Sequence, residues 1–216
     1  MTTIDTERLA EIVTLDKGSH KPPNGNFAAC VMEAVAYVSG EPWSDHPECA
    51  CPVITAFLVN WNDALSDTDR TRLLVPLIPK VVGTRGSAAL ANRRATMAVD
   101  WFIRVQTPAW LRLAGLTTQA EKLEAFPEIV DFAKTPSIKP TLDAIRSDAT
   151  AAGAAAGAAA GVAARAAARA AAWDAAWDAA WAAAWDALKD TTAALQLSAV
   201  DLVERMCALT DEDLSA

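Results

Sequence analysis

Residues 149–188 read ATAAGAAAGAAAGVAARAAARAAAWDAAWDAAWAAAWDAL, and this alanine tract decides the fold class. Alanine has the highest helix propensity of all residues, and the tract contains no proline to interrupt a helix. An unbroken helix from Asp148 to Lys189 would be about 63 Å long. The tract therefore predicts a very long helix and favours an all-α protein.

A period of four residues runs along this tract. Every fourth position carries glycine, arginine or tryptophan, in the order Gly153, Gly157, Gly161, Arg165, Arg169, Trp173, Trp177, Trp181 and Trp185. Because a step of four residues advances about 40° around a helix, the glycines span a sector of about 80° and the tryptophans one of about 120°, roughly opposite. One side of the helix has bare backbone, and the other carries a large aromatic surface.

This arrangement makes the tract a candidate binding surface, because large exposed apolar patches usually mark interfaces. The surface consists of Gly153, Gly157, Gly161, Trp173, Trp177, Trp181 and Trp185. Two interpretations stay open. The tryptophans pack on the protein's own core, or they bind a second copy of the chain or another protein.

The remaining sequence has helical patterns and almost no strand signals. The predicted helices begin at Thr6, at Phe27 with Asn26 as its cap, at Pro52, after the cap Ser66, at Ser87, at Thr107 and at Thr117 or Thr118. Gly40 is expected to end the second helix, and Pro76 and Pro79 to interrupt the fourth.

These patterns predict a helical core domain at residues 1–146. Residues 147–216 would hold the alanine-rich helix and a shorter C-terminal helix from Leu195 to Leu209. A turn at Asp190-Thr191-Thr192 would separate the two, and the second region would belong to the core domain or project from it as an arm.

Composition excludes several classes of function. The 216 residues carry a net charge of −8 with scattered basic residues, whereas nucleic-acid binding requires a concentrated positive surface. Charged residues recur too often in the alanine tract for a membrane span. No signal peptide is evident at the N-terminus, so a cytoplasmic protein is expected.

Histidine and cysteine residues cluster between residues 20 and 51, where both histidines and three of the four cysteines lie. The ligand types suit tetrahedral zinc, with His20, Cys30, His46 and either Cys49 or Cys51 as candidate ligands. The spacing follows no recognised zinc-finger pattern, so a set of structural residues without metal is the alternative.

The same cluster offers a second kind of chemistry. Cys49 or Cys51 precedes the helix that starts at Pro52, and the positive end of a helix favours a thiolate. His46 or His20 would then serve as the base. No third catalytic group or oxyanion hole is apparent, and no phosphate-binding glycine loop, HExxH or serine-elbow motif is present.

The runs MEAVAY at residues 32–37 and GEPWSDHP at residues 40–47 carry a resemblance to a known group of sequences. With the alanine-rich tetrad tract, the chain resembles an uncharacterised family of actinobacteria and the phages that infect them. The resemblance implies a bacterial or phage setting. Members similar to this chain often have serine at the position of Cys51, which implies that Cys49 is the better candidate ligand.

Taken together, the sequence predicts a helical interaction protein that self-associates or binds a partner protein through its Ala/Trp-rich arm. The alternative is a small zinc-dependent or thiol enzyme built on the cluster from His20 to Cys51.

Overall fold

The fold is all-α. A computed structural model of the chain describes residues 3–23, 27–131, 138–169 and 173–214, and within 156–185 it describes only the helical backbone. The described residues form helices, turns and loops, and none of them forms a strand. This confirms the predicted fold class.

Ten α-helices follow one another along the described part of the chain. They are α1 (Thr6–Glu11), α2 (Val31–Ser39), α3 (Pro52–Ala64), α4 (Asp67–Leu74), α5 (Ile78–Val81), α6 (Ala88–Trp101), α7 (Thr107–Leu113), α8 (Thr117–Glu124), α9 (Lys139–Arg169) and α10 (Trp173–Ala208). The chain divides into two compact units. The first is Met1–Ala98 with Ser198–Ala216, and the second is Val99–Leu197. The sequence-based division at residue 146 stays a prediction.

Several helix ends lie where the local sequence predicts them. Pro52 occupies the first position of α3, where its missing N–H costs nothing. The hydroxyl of Ser66 caps α4 by accepting a hydrogen bond of 3.2 Å from the Asp69 amide. Gly40 ends α2 in the left-handed conformation with φ 76°. The prolines end α4 at Leu74, and a 3-10 turn at Val75–Leu77 follows.

The start of α2 was predicted four residues too early. The helix begins at Val31, and its cap is the Cys30 thiol, which accepts a hydrogen bond from the Glu33 amide at 3.5 Å. The preceding segment is tied to the chain before it because the Ala29 carbonyl accepts a bond from the Asp16 amide. The predicted cap, Asn26, lies outside the described residues.

The predicted turn at residues 190–192 is wrong, since α10 runs without a break from Trp173 to Ala208. Aspartate and threonine cost a helix only a few tenths of a kcal/mol each relative to alanine. The C-terminal helix is therefore the last part of α10. The predicted rod from Asp148 to Lys189 passes through residues 170–172, which lie outside the described residues.

The helix that begins at Thr107 starts without an intervening loop. A π-helical turn at Phe102–Gln106 joins α6 to α7, and the Phe102 carbonyl accepts bonds from both the amide and the hydroxyl of Thr107. Pro108 has no N–H to continue the regular helical pattern, so a wider turn before it accommodates the proline.

Two buried polar side chains connect the helices of the first unit. Arg70 on α4 donates hydrogen bonds to the backbone carbonyls of Asn62, Leu65 and Leu15. The Asn62 side chain accepts a bond from the Val31 amide and donates to the Asp16 carbonyl. Together they tie the ends of α2, α3 and α4 to the segment that precedes α2.

The second unit has a small apolar core of its own. Buried Leu111, Ala120, Leu123 and Ile145 form it, and Ile103, Leu116 and Leu142 pack against it. These residues come from the π-helical turn, from α7, α8 and the loop between them, and from α9. The core thus fixes the start of α9 against α7 and α8.

Replacing Arg70 tests its role as a connector. We expect Arg70→Met to lower the free energy of unfolding by about 3 kcal/mol, because it leaves several buried carbonyls without donors. The matched control is Arg72→Met on the same helix, where the side chain is exposed and donates a hydrogen bond to the Asp69 carboxylate at 2.7 Å. The control should change stability by less than about 0.5 kcal/mol in urea denaturation. Equal effects of the two substitutions would contradict this role.

Candidate functional site

The predicted ligands His20 and Cys30 lie beside a buried carboxylate. Glu33 is only 1% exposed. Its carboxylate accepts hydrogen bonds from the His20 amide at 2.5 Å, from the His20 Nδ1 at 2.9 Å and from the Cys30 amide at 2.8 Å. The Trp43 indole donates to the His20 carbonyl at 2.8 Å. Glu33 therefore fastens the loop at His20 to the start of α2.

The other predicted ligands occupy different surroundings. The exposed His46 ring bonds the neighbouring Asp45 carboxylate through Nδ1 at 2.8 Å. Cys49 and Cys51 are buried, and the backbone of each is held by the loop after α5. The Cys49 carbonyl accepts from the Arg85 amide, and the Cys51 amide donates to the Thr84 hydroxyl.

The structure does not gather His20, Cys30, His46 and Cys49 or Cys51 into a zinc site. Within the described ranges, no group of three or more His, Cys, Asp and Glu side chains is arranged to hold a metal ion. The physical reason lies in the partners these residues have. Glu33 engages His20, the Cys30 thiol caps a helix, and His46 pairs with Asp45 at the surface.

Three of the four thiols, those of Cys30, Cys49 and Cys207, are also poorly suited to nucleophilic chemistry. Burial raises the pKa of the Cys30 thiol to about 12 and that of the Cys207 thiol to about 12. Burial also raises the pKa of Cys49, one of the two predicted nucleophiles. A catalytic cysteine requires the opposite shift, because only the thiolate attacks.

A concave apolar surface lies in the second unit, between α7 and the start of α9. This groove has a volume of about 400 Å³. Its lining is Thr107, Trp110, Leu111, Ala114, Leu116, Ala149, Ala152 and Gly153, which is almost wholly apolar. Leu111 belongs to the core below the groove, while Trp110 is 39% exposed at its wall.

Exposed apolar side chains, here called the apolar stripe, are concentrated on the segment that forms one wall of the groove. Phe102, Val105, Trp110 and Leu113 are between 39% and 43% exposed, and they lie on the π-helical turn and on α7. Of the exposed large apolar side chains among the described residues, only Val13 and Leu214 belong to the first unit. Concentrations of this kind usually mark a surface that binds another protein.

One residue of the predicted binding surface lies in the groove. Gly153 lines it, and a Cβ atom added at Gly153 would meet nothing within 4 Å. The bare backbone therefore contributes open space, as the tetrad pattern predicts. The other predicted residues, Gly157, Gly161, Trp173, Trp177, Trp181 and Trp185, lie on α9 and α10 with side chains outside the described set.

The groove was not apparent in the sequence, because it depends on how α7 packs against α9. The signal that could have indicated it is the run of large apolar residues at Trp110, Leu111, Leu113 and Leu116. A helix that buries one face needs fewer large apolar residues than this stretch contains, so some of them are expected to lie at the surface.

None of the described helices combines the length and the apolar character that crossing a bilayer requires.

Comparison of the chain with protein-family models, with curated proteins and with solved structures finds no match in any of the three.

Thiol labelling tests the inert character of the cysteines. At pH 8 a thiol with a pKa of about 12 is almost entirely protonated, so alkylation of Cys30 and Cys207 in the native protein should be slow. We expect labelling at least roughly a hundredfold slower than in denaturant, followed for each cysteine by peptide mass spectrometry. Fast labelling of Cys49 in the native protein would restore the nucleophile hypothesis. Labelling of Cys30 that accelerates when a chelator is added would indicate a bound metal.

Proposed function

We propose that the protein is a helical interaction protein that self-associates. The groove of one copy receives the Trp-bearing segment, residues 173–185, of a second copy. The observation that supports this most is the apolar groove of about 400 Å³ beside Gly153. This proposal deepens the sequence-based hypothesis by naming the surface that receives the tract.

The lining of the groove suits a helix that carries indole side chains. Ala149, Ala152 and Gly153 have little or no side chain, so a second helix can approach the backbone of α9 closely. Trp110 offers an aromatic face, and aromatic pairs contribute about 0.5–1.5 kcal/mol beyond the area that they bury.

The free energy gained by burying one indole, compared with the cost of association, explains why the tryptophan is repeated. A single indole buries about 150–250 Å², which corresponds to roughly 4–6 kcal/mol at about 25 cal/mol per Å². Association costs about 4–15 kcal/mol in lost freedom, so one indole does not hold two copies together. Several indoles presented at regular spacing on one helix exceed that cost.

We also propose that the protein acts in an assembly of a bacterium or of a phage that infects it, as the sequence resemblance implies. A zinc-dependent or thiol enzyme is not proposed, because no observation on the described residues favours it.

Filling the groove without disturbing the fold tests the proposal. Gly153→Gln places a side chain into the groove from a position with open space, and it replaces glycine in a helix, so the variant should fold at least as stably as the parent. We expect the parent chain to be a dimer or larger in light scattering and Gly153→Gln to dissociate at least tenfold more readily. The matched control, Ala151→Gln, lies on the same turn, is exposed and does not line the groove. It should associate as the parent does.

Complementation identifies the occupant. A second variant changes Trp173, Trp177, Trp181 and Trp185 to alanine and leaves the groove intact. Each variant alone should be monomeric, whereas a mixture should form a heterodimer, since one chain supplies the groove and the other the tryptophans. A parent chain that is monomeric at all concentrations, or a mixture that stays monomeric, contradicts the proposal.

A further inference from the structure

A second cavity lies within the first unit, between the loop after α5 and the C-terminal end of α10. Its volume is about 220 Å³. Its lining is largely polar: Lys80, Val82, Gly83, Thr84, Arg85, Leu90, Arg94, Cys207, Leu209, Thr210 and Asp211. Gly83 has a φ of 79°, and this left-handed turn directs the chain from α5 to Thr84 and Arg85 at the cavity wall.

Arg94 is the buried charge of this cavity. It is 2% exposed, and it donates to the backbone carbonyls of Thr84 at 2.5 Å, Met206 at 2.7 Å and Leu209 at 2.7 Å. A guanidinium group has five N–H donors, so two remain. Among the described residues no carboxylate forms a direct ion pair with Arg94, although buried charges are normally paired. The charge of Arg94 does act on the Asp211 carboxylate, which lines the same cavity.

The charges around the cavity are predominantly positive. Lys80, Arg85 and Arg94 face a single carboxylate, that of Asp211. The Asp211 carboxylate is engaged by the amide and the hydroxyl of Ser87, and these bonds, with the charge of Arg94 in addition, hold its pKa below the usual range. Lys80 donates a hydrogen bond to the Glu204 carboxylate at 2.7 Å, so the charge of Lys80 is partly balanced by that residue. This cationic cavity stands out in a chain of net charge −8.

We propose that the cavity binds a small oxyanion, with Arg85 and the two remaining N–H groups of Arg94 as its principal donors. The size of the cavity suits a phosphate or a single carboxylate group and not a nucleotide. An oxyanion would give the buried guanidinium a directly bonded counter-charge in addition to the Asp211 carboxylate of the same lining, and charge-assisted hydrogen bonds of this kind are among the strongest in proteins. The site is independent of the groove in the second unit.

Arg85 is the residue on which to test the site. Its side chain is exposed, and its backbone amide is held by the Cys49 carbonyl, so Arg85→Gln should fold normally. Arg94 is unsuited to the test because its loss would release three carbonyls. The control is Arg72→Gln, which removes the same charge from an exposed position of the first unit that does not line the cavity.

The experiment is calorimetric titration of the full chain with inorganic phosphate, and separately with acetate, at constant ionic strength set by sodium chloride. We expect saturable binding of one anion per chain, and the tighter of the two anions identifies the ligand as a phosphate or a carboxylate. Arg85→Gln should weaken binding at least about tenfold, as expected for the loss of a charge-assisted bond, and Arg72→Gln should leave it unchanged. Asp211→Asn should tighten binding, because it removes the one carboxylate of the lining.

Two results would overturn the proposal. One is the absence of saturable heat with both anions. The other is binding that Arg85→Gln and Arg72→Gln affect equally, which would assign it to general charge and not to the cavity.

Discussion

The first unit depends on buried guanidinium groups that donate to backbone carbonyls. Short helices leave carbonyls unpaired at their ends, and a fold made of many short helices buries a large number of them. Arg70 satisfies carbonyls at the end of α3 and in the segment before α2, and Arg94 satisfies those at the end of α10 and after α5. These bonds explain why the last residues of the chain belong to the same unit as the first.

The two units carry different kinds of surface. The first has the buried polar network and the cationic cavity, whereas the second has the apolar stripe and the groove. Binding of an ion requires fixed donors, which the network of the first unit provides. Binding of a helix requires small side chains and apolar area, which the start of α9 and the exposed face of α7 provide. The proposed anion site thus depends on the buried polar network of the first unit, and the proposed helix-binding groove depends on the apolar surface of the second.

Local signals in the sequence predicted helix ends well, because caps depend on neighbouring residues. Ser66 and Gly40 are examples. The start of α2 was mistaken because its cap is a cysteine, which lies outside the usual set of capping residues. The sequence also indicated bare backbone at Gly153, which lines the groove, whereas the binding role of this surface stays a prediction. The sequence could not reveal the groove or the cavity, since both arise from packing between segments that are distant in sequence. Ligand-type residues that are near one another in sequence also need not form a metal site: Glu33 bonds the His20 ring, and no group of described residues is arranged to hold a metal ion.

The central claim is that the groove of one copy holds the tryptophan segment of another. A photoreactive residue in place of Ala114, an exposed residue that lines the groove, tests it directly in a mixture of unlabelled and ¹⁵N-labelled chains. The account predicts cross-linked peptide pairs that join the site at position 114 in one chain to residues 173–185 of a chain with the other label. Cross-links confined to single chains, or none that include residues 173–185, would contradict it.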